Sequence, residues 1–259
     1  MVRLEGVKKV FNRNTVNEKV GIDGITFQIR KGDFITVIGS NGAGKTTLLN
    51  LISGTCVPDE GEIFLDEVPV THYPEHRRAQ YLGRIFQNPL MGTAATMTIE
   101  ENLAMADLRG KRRGLRWGVT GGRRKFYRDT LKVLELGLED RLKQSVSLLS
   151  GGQRQSLTLL MATLSIPKLL LLDEHTAALD PKTAQNVMDL TEKLVRVNNI
   201  TTIMVTHNMQ QAIRFGNRMI MLHEGKIRFH VEGDQKKSLT VEEVVKRFGA
   251  TLKDETLLS

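Results

Sequence analysis

Nine residues, Gly39-Ser40-Asn41-Gly42-Ala43-Gly44-Lys45-Thr46-Thr47, restrict what this chain can become more than any other stretch. They follow Phe34-Ile35-Thr36-Val37-Ile38, an apolar β-branched run with the character of a buried strand, and they open a helical pattern from Lys45 to Ser53. In that setting the spacing G-x-x-x-x-G-K-[ST] is a phosphate cradle. Its glycines let successive backbone N–H groups converge on an anion, and the helix N-terminus adds partial positive charge. Lys45 would neutralise the transferring phosphoryl group, and the Thr46 hydroxyl would reach Mg²⁺.

The rest of the chain supplies the sheet that such a loop requires. Residues 2 to 38 read as short strands, with Lys31-Gly32-Asp33 as a turn, and Gly54, Pro58 and Gly61 end the first helix before a strand at Glu62 to Leu65. A strand at Tyr81 to Phe86 precedes the capping box Thr98-Ile99-Glu100-Glu101, whose helix runs to about Leu108. Helical periodicity returns at Phe126 to Leu136 and Gly152 to Leu164, so residues 97 to 165 form a helical insertion. Then come the apolar run Leu169 to Leu172, a helix from Pro181 to Val197, strands at Thr201 to Val205 and Met219 to Leu222, and a terminal helix at Thr240 to Phe248. Helices alternating with buried strands predict an α/β fold with a mostly parallel sheet. The expected division is a core of residues 1–96 and 166–240, a helical subdomain 97–165, and a tail 240–259.

Composition bears mainly on partners. Lys and Arg total 37 against 29 acids, a net charge of +8 that suits nucleotides, nucleic acid or an anionic membrane face. The excess is local, because Arg109, Lys111, Arg112, Arg113, Arg116, Arg123, Arg124, Lys125 and Arg128 stand together without one acid among them. With five glycines interleaved, the stretch reads as a solvated flexible loop or as an electrostatic contact with lipid headgroups or an acidic partner. Cys56 is the only cysteine, which excludes an internal disulfide and fits a reducing compartment. The N-terminus mixes charges where a signal peptide would be apolar, and no apolar run reaches the roughly 18 residues of a membrane span. His72, His76, His223 and His230 show no metal-ligand spacing.

A phosphate loop needs a metal carboxylate from a neighbouring strand, and Leu169-Leu170-Leu171-Leu172 ends in Asp173. Glu174, one residue on, stands where a general base could activate the attacking water. Leu149-Ser150-Gly151-Gly152-Gln153 is a second glycine-rich anion site at the start of a helix. With these residues in order the chain resembles an ATP-binding cassette (ABC) ATPase, the nucleotide-binding subunit of an ABC transporter. Leu149 to Gln153 is similar to that family's signature motif, Gln87 in Phe86-Gln87-Asn88-Pro89 to its Q-loop glutamine, Ala178-Leu179-Asp180 to its D-loop, and His207 to its switch histidine. Phe11 would be the aromatic on which adenine stacks. Two departures are visible: His175 follows Glu174 where proline is common, and Ala177 stands where serine is common.

The resemblance implies a P-loop NTPase core with an N-terminal antiparallel β subdomain, and ATP and Mg²⁺ as cofactors. It implies two cassettes meeting head to tail, as a homodimer or a paired dimer. Each ATP then lies between the P-loop of one and Ser150, Gly151 and Gly152 of the other, with Thr46, Gln87 and Asp173 at the metal. Separate permease subunits, an extracytoplasmic binding protein, a peripheral place on the cytoplasmic face of the membrane and no nucleic-acid partner follow from the same resemblance. Stretches such as Gly92 to Leu103 and Asp173 to Asp180 look like bacterial cassettes paired with branched-chain-amino-acid-like permeases, some of them assigned to aromatic amino acids. A soluble cassette driving an assembly reaction, such as iron–sulfur cluster assembly, is the alternative function.

Overall fold

Alternating apolar residues build the amino end. β1 (Val2–Phe11) and β2 (Lys19–Ile29) pair antiparallel from Val2 against Ile29 to Phe11 against Lys19, burying Val2, Leu4, Val7, Ile22 and Ile25 on one side. The structure, a computed structural model, describes residues 1–111 and 118–256. β3 (Phe34–Gly39), α1 (Lys45–Ser53), β4 (Glu60–Leu65), β5 (Val68–Pro69), α2 (Glu75–Arg78) and β6 (Leu82–Ile85) follow. The helical stretch holds α3 (Ile99–Asp107), α4 (Gly121–Leu131) and α5 (Gly151–Thr163). Next are β7 (Leu169–Asp173), α6 (Pro181–Asn198), β8 (Thr201–Val205) and α7 (Met209–Arg214). The chain closes with β9 (Arg218–His223), β10 (Lys226–Glu232), α8 (Gly233–Lys237) and α9 (Val241–Thr256). The terminal helix is therefore longer than its sequence pattern predicts, and β10, α7 and α8 are additions to it.

Two compact units divide the chain, one of Met1–Arg78 with Thr201–Ser259 and one of Ala79–Ile200. In the first, β2, β1, β4 and β5 form an antiparallel sheet in that order. Beside it, β3 lies parallel to both β8 and β9, and β10 pairs antiparallel with β9. The turn before β3 does more than reverse the chain. Asp33 accepts from Asn217 Nδ2 at 2.9 Å, Arg218 Nη1 at 2.6 Å and the Arg30 backbone N–H at 2.8 Å. Burial alone would raise that carboxyl, but the hydrogen bonds from Asn217 and Arg218 win and hold it below the usual carboxylate range. The end of α1 is closed by another buried cation. Arg78 donates to Leu51 O at 2.7 Å, Ile52 O at 2.9 Å, Thr71 O at 2.8 Å and Tyr73 O at 3.0 Å, and burial lowers its pKa to about 10.

In the second unit, β6 and β7 run parallel, with Leu82 against Leu169 and Ile85 against Leu172. In the chain this unit begins at 79 and ends at 200, and β6, β7 and α6 belong with the helices. At Gly83 an added Cβ would lie 2.6 Å from Ala162 O, so α5 rests on the β6 backbone itself. Ile99, Leu103, Tyr127, Leu131, Leu157 and Leu160 form a common apolar core for α3, α4 and α5.

The basic stretch is corrected by this packing. Arg124 forms a two-pronged pair with buried Glu100, at 2.6 and 2.9 Å, whose carboxyl is held low chiefly by those hydrogen bonds. Lys111 bonds Asp107 at 2.7 Å, and Arg123 lies 3.8 Å from the same carboxylate. Arg109 turns inward and donates to Ala162 O at 2.6 Å and Ser165 Oγ at 2.8 Å. These four cations have partners within the fold, and α4 begins at Gly121, inside the stretch expected to be a loop, with Thr120 as its cap. Arg112, Arg113 and Arg116 lie outside the described residues.

Replacing Arg78 by Leu removes the guanidinium from carbonyls of Leu51 and Ile52 that the helix itself cannot bond. The expected loss is about 3 kcal/mol, read from the urea midpoint. An unchanged midpoint would refute the capping role.

Candidate active site

In the first unit β3 delivers the phosphate loop and α1 carries it away. Gly44 stands at the N-cap of α1 with φ 101° and brings no side-chain cap of its own. A helix N-terminus opened by such a loop favours an anion. Lys45, 7% exposed, donates through Nζ to Gly39 O at 2.9 Å and Ser40 O at 3.1 Å, which folds its charge over the loop. Ala43 N–H donates back to Ser40 O at 3.1 Å, and Gly225 N–H donates to Ala43 O at 3.1 Å, so the loop is tied to the β9–β10 turn. Asn41, Gly42 and Ala43 also line a cavity of 580 Å³ with Lys19, His223 and Lys226.

Two distant residues reach the same loop within this unit. Where a Gly21 Cβ would stand, the Phe11 ring comes to 2.6 Å and the Thr47 methyl to 3.1 Å, so the aromatic packs against the bare backbone of β2 beside the start of α1. His207 follows β8, the parallel neighbour of β3, and Thr206 N–H donates to Val37 O at 3.1 Å. It is thus held at the same carboxyl end of the strands as the phosphate loop. Thr46 completes the group as the second residue of α1.

The second unit holds the remaining residues. Asp173 ends β7, is 7% exposed, and lies 3.9 Å from Arg84 Nη2, a cation that sequence reasoning missed. Gln87 stands two residues beyond β6, at the same end of the strand pair as Asp173, and Glu174 continues from β7. Around α5, Ser150 and Gln153 form a reciprocal cap: Gln153 N–H donates to Ser150 Oγ at 3.3 Å, and Ser150 N–H donates to Gln153 Oε1 at 3.1 Å. The Gln153 side chain is therefore hydrogen-bonded to the start of its own helix. Leu149 is 6% exposed and joins the helical core, while Gly152 brings α5 against Thr183 of α6, 2.2 Å from an added Cβ.

In the second unit the Asp173 carboxylate and the Gln87 amide offer hard oxygen donors at one end of β6 and β7, and in the first unit Thr46 offers a hydroxyl at the start of α1. Among the described residues no cluster of three or more His, Cys, Asp or Glu could hold an ion by itself. Oxygen donors of this kind are the type that Mg²⁺ takes, with phosphate and water completing its shell.

A profile described as ABC transporter matches residues 22–177. The chain belongs to the ABC transporter family. It is 44% identical to the tyrosine transport ATP-binding protein of Clostridioides difficile (strain R20291), over 96% of this chain and 98% of that one. It is 32% identical to the methionine import ATP-binding protein MetN of Rhodopseudomonas palustris (strain BisA53), over 87% of this chain but only 59% of that relative's length. Among solved structures, a dimeric post-hydrolysis state of the ATP-binding cassette MJ0796 bound to ADP and Pi superposes with a TM-score of 0.76. It is 30% identical and covers 90% of this chain and 98% of that one. The protein is the ATP-binding and ATP-hydrolysing subunit of an ABC transporter.

The packing of this ABC cassette sets a sharp test of its loop. A Cβ at Gly44 would stand 2.3 Å from Gly21 O and on a backbone at φ 101°. Gly44→Ala is expected to lower stability by about 2 kcal/mol or more and to abolish nucleotide binding, measured by thermal melting and fluorescent-ATP titration. Wild-type behaviour in both would overturn the described loop geometry.

Proposed function

We propose that this ABC cassette powers a bacterial uptake system for an amino acid, with aromatic amino acids as the first class to test. The reading is carried by the end-to-end likeness to a tyrosine transport ATP-binding protein, 44% identical over 96% of the chain. Two cassettes work as a pair at the cytoplasmic face of the membrane, separate permease chains provide the passage, and an extracytoplasmic binding protein delivers the cargo. Among the described residues no helix is long and apolar enough to cross a membrane. The cargo is selected by the permease and binding protein, whereas the cassette handles only ATP. The assembly alternative draws no support from the relatives.

In this reading the ATP triphosphate follows Gly39 to Thr47, with Lys45 on the β and γ phosphates and adenine on Phe11. Thr46, Gln87 and Asp173 would hold Mg²⁺, which when bound supplies charge neutralisation at the phosphoryl oxygens. Glu174 accepts a proton from the attacking water at its carboxylate, and His207 steadies the γ phosphate. Ser150, Gly151 and Gly152 of the second cassette close on the same phosphates, the Ser150 cap fixing the direction of α5. A ligand bound between two copies favours the closed pair. Its cleavage removes the γ-phosphate contacts and lets the pair part, which is the switch that Gln87 transmits to the permease.

Glu174→Gln is expected to keep ATP binding while slowing hydrolysis by roughly 10² to 10⁴, measured by phosphate release and nucleotide titration. Wild-type turnover would remove Glu174 from the base role. Lys45→Ala should instead weaken binding about tenfold or more, because the main charge on the phosphates is gone. Unchanged affinity would count against the phosphate-loop assignment. For the transport reading, Glu174→Gln is captured with ATP and Mg²⁺ from gently solubilised native membranes. A multispanning permease is the expected companion, and recovery of soluble scaffold proteins alone would overturn it. Cells lacking the cassette should lose labelled-tyrosine uptake; intact tyrosine uptake beside loss of another amino acid would redirect the cargo alone.

A further inference from the structure

Glu174 occupies a left-handed backbone conformation, φ 45°. A residue with a Cβ persists there only when its surroundings dictate it. The next residue, His175, supplies the dictation. Its imidazole is 3% exposed, and Nε2 stands 3.2 Å from Thr191 Oγ1 in the middle of α6. Thr191 is 0% exposed and donates its own hydroxyl proton to Val187 O at 2.7 Å. Its oxygen is therefore left as an acceptor, which puts the histidine proton on Nε2 and makes His175 the donor.

The turn that this tether closes is short. Ala177 N–H donates to Glu174 O at 3.0 Å, and Leu179 N–H donates to Thr176 O at 3.2 Å. Asp180 then caps α6 through Thr183 N–H at 3.1 Å. The chain from β7 to α6 is thus wound tightly with one imidazole sunk beneath it and bonded to the third turn of the helix. A leucine would fill that volume without desolvating a polar ring, so an imidazole that finds a partner points to a directional demand. That demand falls on the residue whose carboxylate must face the attacking water.

We propose that His175 is a positioning residue for ATP hydrolysis. Its hydrogen bond to Thr191 locks the turn that holds Glu174 at the end of β7. The proposal rests on reading Glu174 as the general base, and it assigns to His175 no contact with ATP and no proton transfer. Removing the tether lets the carboxylate wander by a fraction of an ångström or more. Misplacement on that scale slows a positioned reaction by roughly ten- to a hundredfold without changing what the phosphate loop binds.

The test compares the full-length wild-type chain with Glu174→Gln, His175→Leu, His175→Gln, Thr191→Val and the double variant Glu174→Gln/His175→Leu. Each is measured for kcat, KM for ATP, ATP-dependent dimerisation and melting temperature. The expected pattern is a kcat loss of roughly tenfold or more in His175→Leu and Thr191→Val, with KM and dimerisation within about twofold of wild type. His175→Gln, whose amide N–H can reach the same oxygen, should recover most of the rate. The double variant should be no slower than Glu174→Gln alone, because a residue that acts only through Glu174 has nothing left to position. Wild-type kcat in His175→Leu and Thr191→Val would overturn the proposal, as would additive losses in the double variant or a change confined to KM. If His175→Leu does not fold, Thr191→Val and His175→Gln decide by the same criteria. Slow hydrolysis in Glu174→Gln beside normal hydrolysis in the tether variants defeats only the positioning role, whereas normal hydrolysis in Glu174→Gln defeats the base reading beneath it.

Discussion

The nucleotide loop is threaded between other stretches of backbone with no room for side chains. A Cβ on Gly44 would stand 2.3 Å from the carbonyl oxygen of Gly21 on β2, and one on Gly39 would stand 2.3 Å from that of Leu222 on β9. Because the loop is pressed against both, β2 and β9 dictate where its N–H groups point. The close fit also carries Phe11 to the start of α1, since β2 at Gly21 has no side chain to lift the ring away. A phosphate loop held this way is preorganised, and little reordering is left for the ligand to cause.

The two glycine-rich helix starts are built differently. α1 begins at a glycine, which brings no side-chain cap to the helix start. α5 begins at Ser150 inside a reciprocal cap with Gln153, which satisfies one of its amides and fixes its direction. The first is a cradle that surrounds an anion. The second is a stiff end that can meet an anion from outside, as a second cassette requires. Its glycines serve packing as well, for Gly152 lets α5 approach Thr183 more closely than any larger residue would permit.

Cations recur at the carboxyl ends of helices. Arg78 bonds carbonyls of Leu51 and Ile52 in α1, Arg109 bonds Ala162 in α5, and Lys236 bonds Phe215 and Gly216 just past α7, where burial lowers its pKa to about 8. Helix carboxyl ends carry partial negative charge and unbonded carbonyls, so each cation meets both needs at once. Part of the +8 net charge is consequently internal architecture. It is not all available to lipid or to an acidic partner.

By itself the sequence determined most strands and helices in their order, though not β10, α7 or α8, together with the phosphate loop, the strand ending in Asp173 and the capped start of α3. Each of these depends on periodicity or on residues within a few positions of one another, which a linear reading captures. What it misread were contacts between distant positions. The run from Arg109 to Arg128 contains no acid of its own, yet Arg124 finds Glu100, twenty-four residues back on α3. The β7–α6 turn was legible as a motif, but not that His175 reaches Thr191 sixteen residues on. Nor does local patterning show that β6 meets α5 through the bare backbone at Gly83. Local propensity and spacing set the elements and name the reactive groups. Only packing decides which buried charge meets which partner, because a desolvated ion or imidazole takes whatever donor or acceptor the folded chain brings within hydrogen-bonding reach.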